Sequence, residues 1–207
     1  MPTAERLLSF YERSEGKLSF SVKANRLLTH EIGADWQVAA KDFKEALKPL
    51  NEKERLSAVL FQLPESFHYT NDNRIYLAKL IAEFEGFPVM IEFRHKEWIR
   101  ESVFEGLEKR KAGIVFCDMP MWHLAQTSII STHANGAKAT YTEGESPNGS
   151  TRYCYDYSEN ELAQFIPIIK AAGREGKKVQ VYFNNHPNGS GAKNALKLKK
   201  MVAEDFL

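Results

Sequence analysis

Short apolar runs in this chain alternate with amphipathic segments, and that alternation restricts the fold more than any other feature. The runs at residues 18–23, 57–62, 88–93, 113–117, 128–133 and 178–184 have the length and the β-branched and aromatic content of strands. Helical periodicity occupies 36–47, 73–84, 103–111 and 159–174, and a further helical segment, 6–12, precedes the first strand. Strand and helix in turn at this spacing predict βα units around a parallel sheet in a single α/β domain spanning 1–207. Residues 134–157 break the pattern, being rich in Gly, Ser, Asn and Tyr without helical period. A loop of that length in a compact domain is usually functional or mobile.

The phase within each strand separates a closed sheet from an open one. Side chains alternate between faces. Phe20 and Val22 therefore oppose Ser19, Ser21 and Lys23, and Gln62 shares its face with Ala58 and Leu60. Glu92 and Met90 oppose Val89, Ile91 and Phe93, while Ser131 and His133 oppose Ile130. In the last strand Gln180, Tyr182 and Asn184 oppose Val179, Val181 and Phe183. One face is aliphatic enough to lie under helices, and the other gathers polar groups toward the strands' C-terminal ends. A doubly wound sheet is covered on both faces and should read apolar on both. A TIM-type (β/α) barrel, with its reactive groups at the C-terminal rim, fits better.

Composition narrows the partners. Twenty-eight basic and 27 acidic residues leave a formal charge of +1, so no global field draws nucleic acid or a membrane. Cys117 and Cys154 are too few for a disulfide framework, and with no signal-like N-terminus or membrane-length apolar stretch a cytoplasmic protein is expected. The Asn-Gly-Ser sequons at Asn148 and Asn188 then read as turn residues.

The segment 179–194 reads strand, Gly-rich turn, helix. Residues 189–191, Gly-Ser-Gly, open the helix, where free backbone N–H groups attract anions. The turn is either a phosphate or carboxylate cradle or simply a helix entry that needs glycine for its geometry.

Five motifs, Phe20-Ser-Val-Lys23, Leu28-Thr-His30, Val59-Leu-Phe-Gln-Leu-Pro64, Ile91-Glu-Phe-Arg-His95 with Trp98, and Phe183-Asn-Asn185, occur in an order that resembles the domain-of-unknown-function 72 family. The resemblance runs from about residue 16 to about residue 200 and implies a TIM-type barrel in a bacterial-type cytosolic protein with no assigned activity. Family members usually open with a Gly- and Trp-bearing strand and a second strand leading into a Phe-Tyr pair, and neither precedes Leu18 here. Six candidate strands in 207 residues fall short of the eight strands and ~250 residues typical of the barrel. A barrel incomplete at its N-terminal side, about six strands of eight, is the expectation. The family's His-Gly-Arg segment is also altered, since Thr132-His-Ala-Asn-Gly136 lacks the Arg.

Candidate chemistry follows from the polar faces. Lys23 at a strand end suits an anion, a Schiff base or an acid, or else an ion pair with a neighbour such as Glu92. Glu92, among apolar neighbours, suits general acid–base work, and His133 completes the catalytic set. Arg94 shares the face of Glu92 if the strand persists, so a structural Glu–Arg brace competes with that reading. Gln62, Arg94, Asp118, Tyr182, Asn184 and Asn185 would contact a polar ligand, though Gln62, Tyr182 and Asn184 could equally satisfy one another across the barrel. Tyr153 and Tyr155 lie in the long loop and are placed to stack on a ligand, with Gly189 and Gly191 holding its anion. Trp98 reads as packing for a helix start. His30, His95, His133 and His186 all follow strand ends and, with Glu92 and Asp118, have the ligand chemistry for zinc or manganese. No pair has HxH or HxxxH spacing, so neither a metal nor a cofactor is assigned.

These residues point to a protein that binds or acts on a small phosphorylated or carboxylated polar metabolite at the barrel rim. One alternative is a nucleic-acid-binding or phosphodiester-processing protein that uses the same rim with Tyr153, Tyr155 and Arg152. Another is a truncated, catalytically inactive family member. Missing strands would leave open sheet edges, so self-association across the gap or low stability is expected.

Overall fold

The computed structural model describes residues 1–117, 131–134, 156–183 and 189–204, and the chain divides into two compact units, Met1–Ile114 and Val115–Leu207. In the first unit α1 (Ala4–Arg13) leads into β1 (Phe20–Lys23), and a 3-10 turn, Arg26–Leu28, precedes α2 (Trp36–Glu52). Then follow β2 (Leu56–Leu63), α3 (Asn71–Glu83), β3 (Val89–Phe93), a 3-10 turn at Lys96–Trp98 and α4 (Glu101–Lys109). β1 pairs β2 and β2 pairs β3, both parallel. This is the βα order that the alternation of runs predicts.

The first unit's core shows why the strands have two unlike faces. Val59, Phe61 and Leu63 of β2 are fully buried, and Phe61 meets Phe84 edge-on at 4.9 Å, with Phe84 in turn 6.0 Å from Phe43 of α2. The odd-numbered face of β2 is therefore the one under the helices. Ala58, Leu60 and Gln62 occupy the other, as the strand phase requires. Along β1 burial alternates, with Phe20 and Val22 half-buried and Ser21 and Lys23 exposed.

Several boundaries differ from the sequence expectation, each for an identifiable reason. The first strand begins at Phe20, because Leu18 stands 58% exposed beyond the paired residues. Thr70 caps α3 through the Asn73 N–H, so the helix starts at Asn71. Pro49 argues for ending α2 near Leu47, yet the helix runs on to Glu52 with Leu50 fully buried. Burial of that last turn outweighs the lost backbone donor.

In the second unit β4 (Gly113–Cys117), whose first two residues belong to the first unit, pairs β5 (Ser131–Ala134), and β5 pairs β6 (Val181–Phe183), all parallel. The helix expected at 159–174 is two helices, α5 (Glu159–Ala163) and α6 (Ile166–Arg174). A capping box between Ser158 and Glu161 starts α5, and Pro167 in the first turn of α6 restarts the helix after the break. α7 (Ser190–Glu204) packs on β6, and Tyr157, Leu162 and Leu198 form the unit's buried centre against Phe165, Val181 and Phe183. Among the described residues no helix is long and apolar enough to cross a membrane. The architecture is α/β, with parallel strands flanked by helices.

Candidate functional site

The ends of β1, β2 and β3 in the first unit carry polar side chains on one face of the sheet. The register sets Lys23 opposite Leu60, Leu60 opposite Met90, and Gln62 opposite Glu92. Lys23, the last residue of β1, donates from Nζ to Gln62 Oε1 at 2.7 Å. Glu92 is 1% exposed and forms an ion pair with Arg94, whose guanidinium is mostly buried. Of the two structural readings open for these residues, the partner of Glu92 is thus Arg94, and that of Lys23 is a neutral amide. A buried carboxylate needs such a partner, because desolvation of an isolated charge is costly. The ammonium of Lys23 is by contrast exposed and bound to a group that leaves its charge uncancelled.

His30 lies near that charge. Desolvation first, then the nearby Lys23 and Arg26 cations, lower its pKa from the usual histidine value, while Glu31 raises it. Its Nδ1 lies 2.8 Å from Thr29 Oγ1, and Thr29 is buried. An open cleft of about 500 Å³ extends from Lys23, Ala24 and Asn25 to Arg6, Leu7 and Phe10 of α1. Lys23 and Arg6 are the basic side chains among the residues that line it.

A second cluster stands on the loops that follow β2 and β3. Trp98 is 2% exposed and donates from Nε1 to the Phe67 carbonyl at 2.6 Å. Its ring stacks on Phe93 at 4.7 Å and Phe67 at 5.3 Å, and Tyr69 meets it edge-on at 4.9 Å. This clasp brings His68 against His95, with ring centroids 4.5 Å apart. Glu97 Oε2 accepts the Tyr69 backbone N–H at 3.3 Å and lies 3.6 Å from His95 Nδ1. One donor atom each from His68, His95 and Glu97 fall within 4.8 Å of one another. Sequence reasoning placed His95 at a strand end but missed His68 and Glu97. The legible signal was a His-x-Glu triplet directly after a strand, with a further histidine after the strand that precedes it.

The remaining expected site residues belong to the second unit or lie outside the described residues. His133 is in β5, in register with Cys117 of β4 and Tyr182 of β6, but its side chain is outside the described residues. Tyr182 donates from its hydroxyl to Gln180 Oε1 at 3.1 Å. Gly189 adopts φ +69°, a left-handed conformation that glycine accepts without strain, and Gly191 lies in the first turn of α7. Asn194, one helical turn on, is buried, accepting the Tyr157 N–H and donating to Asp156 Oδ1 at 2.8 Å. Asp118, Tyr153, Tyr155, Asn184 and Asn185 lie outside the described residues.

The family model for the protein of unknown function DUF72 matches residues 1–206. The chain belongs to that family. Among solved structures, a DUF72 family protein from Thermotoga maritima superposes with a TM-score of 0.83 at 30% identity, covering 98% of this chain and 80% of that one. A DUF72 family protein from Enterococcus faecalis shares the fold, with a TM-score of 0.80 at 23% identity over 98% of this chain and 80% of that one. The UPF0759 protein YunF of Bacillus subtilis is 25% identical over 181 residues, or 79% of this chain. The chain spans 64% of the length of YunF. DUF72 membership and these likenesses agree with the TIM-like fold expected from the strand faces, and they assign no activity.

Proposed function

We propose that the strand ends carrying Lys23 and Gln62, with the enclosed Glu92–Arg94 pair beside them, bind a small phosphorylated or carboxylated polar molecule at the C-terminal rim of a TIM-type barrel. The observation that carries the reading is the exposed Lys23 ammonium, oriented by Gln62 and uncancelled by any carboxylate in its hydrogen bond, beside a cleft it shares with Arg6. Burial first, and then the Lys23 and Arg26 cations, lower the pKa of His30 beside this surface, which accords with the reading. Lys23 supplies the anion contact, Gln62 holds the ammonium in place and contributes a neutral amide, and Glu92 exchanges a proton with the ligand. Arg94 holds Glu92 in a buried ion pair until a ligand competes for the guanidinium.

The turn before α7 is proposed as a separate anion contact of the second unit, on the strength of Gly189 and the helix start at Ser190. β1 ends the run of paired strands in its unit, and self-association along that edge is the proposed partner interaction.

A thermal-shift screen against phosphate esters and carboxylates tests the reading, since a ligand of the native state raises the melting temperature. Lys23→Ala should chiefly weaken binding of any hit. Glu92→Gln should chiefly remove turnover. If both variants bind and turn over like the parent, the polar strand ends are only structural. Salt-dependent binding to an oligonucleotide in place of small anions would transfer the rim to phosphodiester recognition.

A further inference from the structure

We infer that His68, His95 and Glu97 form a binding site for a divalent cation of the zinc class, held between the loops after β2 and β3. The inference stands apart from the anion-binding proposal and uses none of its residues. Zinc takes imidazole nitrogen and carboxylate oxygen, and two histidines with one glutamate are a sufficient protein ligand set when a coordination position stays open for water or substrate.

Spacing is the first argument. Two ligands each ~2.1 Å from a tetrahedral zinc lie roughly 3.4 Å apart. His95 Nδ1 and Glu97 Oε2 are 3.6 Å apart. One donor atom from each of the three residues, His68 included, lies within 4.8 Å of the other two, and His68 is exposed. Metal on His95 Nδ1 would replace the long 3.3 Å hydrogen bond that this nitrogen accepts from the Glu97 backbone, a contact weak enough to yield.

Preorganisation is the second. Residues 68 and 95 lie 27 positions apart, yet their loops are fixed to each other by the Trp98 indole on the Phe67 carbonyl and by the Tyr69 N–H on the Glu97 carboxylate. The Tyr69 contact also orients the glutamate from outside the ligand set, as hydrogen bonds behind metal ligands commonly do. Two of the three ligands are solvent-accessible, and the third, His95, is half-buried, which leaves the ion open on one side.

The metal alone is the probe. Calorimetric titration of the full chain with zinc chloride should give one saturable site. His68→Ala, His95→Ala and Glu97→Gln should each weaken it by about tenfold or more, the scale on which metal sites respond to loss of supporting groups. Unchanged apo melting temperatures in His68→Ala and Glu97→Gln, both exposed positions, would attribute the loss to coordination rather than folding. Cobalt(II) supplies a second readout: d–d absorption without a thiolate charge-transfer band is expected, and it should vanish in the double variant His68→Ala/His95→Ala. The inference is overturned if the parent shows no saturable zinc binding, or if the variants bind like the parent. A thiolate band would overturn it too, by assigning the ion to Cys117 or Cys154.

Discussion

Glu92 with Arg94 and Glu97 with His95 are acid–base pairs at the same strand end, and they differ in what water can reach. Glu92 is enclosed with a guanidinium, in a strand whose neighbours fix its direction. Glu97 is exposed, on a 3-10 turn, and spends its oxygen on a backbone N–H and a nearby imidazole. The first arrangement neutralises a charge that the interior would otherwise penalise, so the brace contributes structure whether or not it also reacts. The second leaves donors incompletely used and accessible, which is the state that suits an incoming ion. Neighbouring residues of one motif, Ile91-Glu-Phe-Arg-His95 and its continuation, thus divide into a part directed inward and a part available outward.

The largest expected effect falls on the feature that holds the outward part. Trp98→Ala should cost about 3–5 kcal/mol in urea unfolding, by loss of buried aromatic area and of the anchor shared by both loops. Zinc affinity should fall with it. Next, Arg94→Ala should cost on the order of 3 kcal/mol, because Glu92 keeps its burial and loses its ion-pair partner. Replacing both residues by apolar ones of similar volume should cost less than Arg94→Ala alone, and a double-mutant cycle reads the difference directly. Glu97→Gln, in contrast, should leave stability within roughly 0.5 kcal/mol of the parent, the usual range at exposed positions. Equal losses at Glu92→Gln and Glu97→Gln would erase the distinction between enclosed and available pairs.

The smallest effect concerns His30. Its folded pKa lies below that of an unfolded histidine, so on acidification the unfolded chain takes up the proton first. Stability contributed here is full above the ordinary histidine range, and it declines as pH falls through that range until His30 itself titrates. Lys23→Ala should move the His30 midpoint upward in an NMR titration, and bound anion should do the same. A midpoint indifferent to Lys23 would remove the electrostatic support for the rim reading.

Strand and helix order was legible because periodicity records burial, and burial decides pairing in a parallel sheet. The inward phase of Gln62 and Glu92 followed from residues 58–62 and 89–93 alone, with no knowledge of their neighbours. Partner choice was not legible in the same way. Lys23 takes Gln62, 39 positions away, only because β1 and β2 pair with Lys23 opposite Leu60. His68 escaped notice because a lone histidine after Ser66-Phe67 has no local signal, and its meaning comes from Trp98 pulling the two loops together. The division of 159–174 was readable from Pro167, whereas the extension of α2 past Pro49 was not, since it depends on what Leu50 is buried against.

The indole of Trp98 lies between Phe93 and Phe67, hydrogen-bonded to the main chain of one loop and covalently part of the other. The molecule therefore carries an intrinsic fluorophore where the loops after β2 and β3 meet. With Trp36 and Trp122 replaced by Phe, a change in Trp98 emission on adding zinc is the expected optical sign of an ion drawing His68 toward His95.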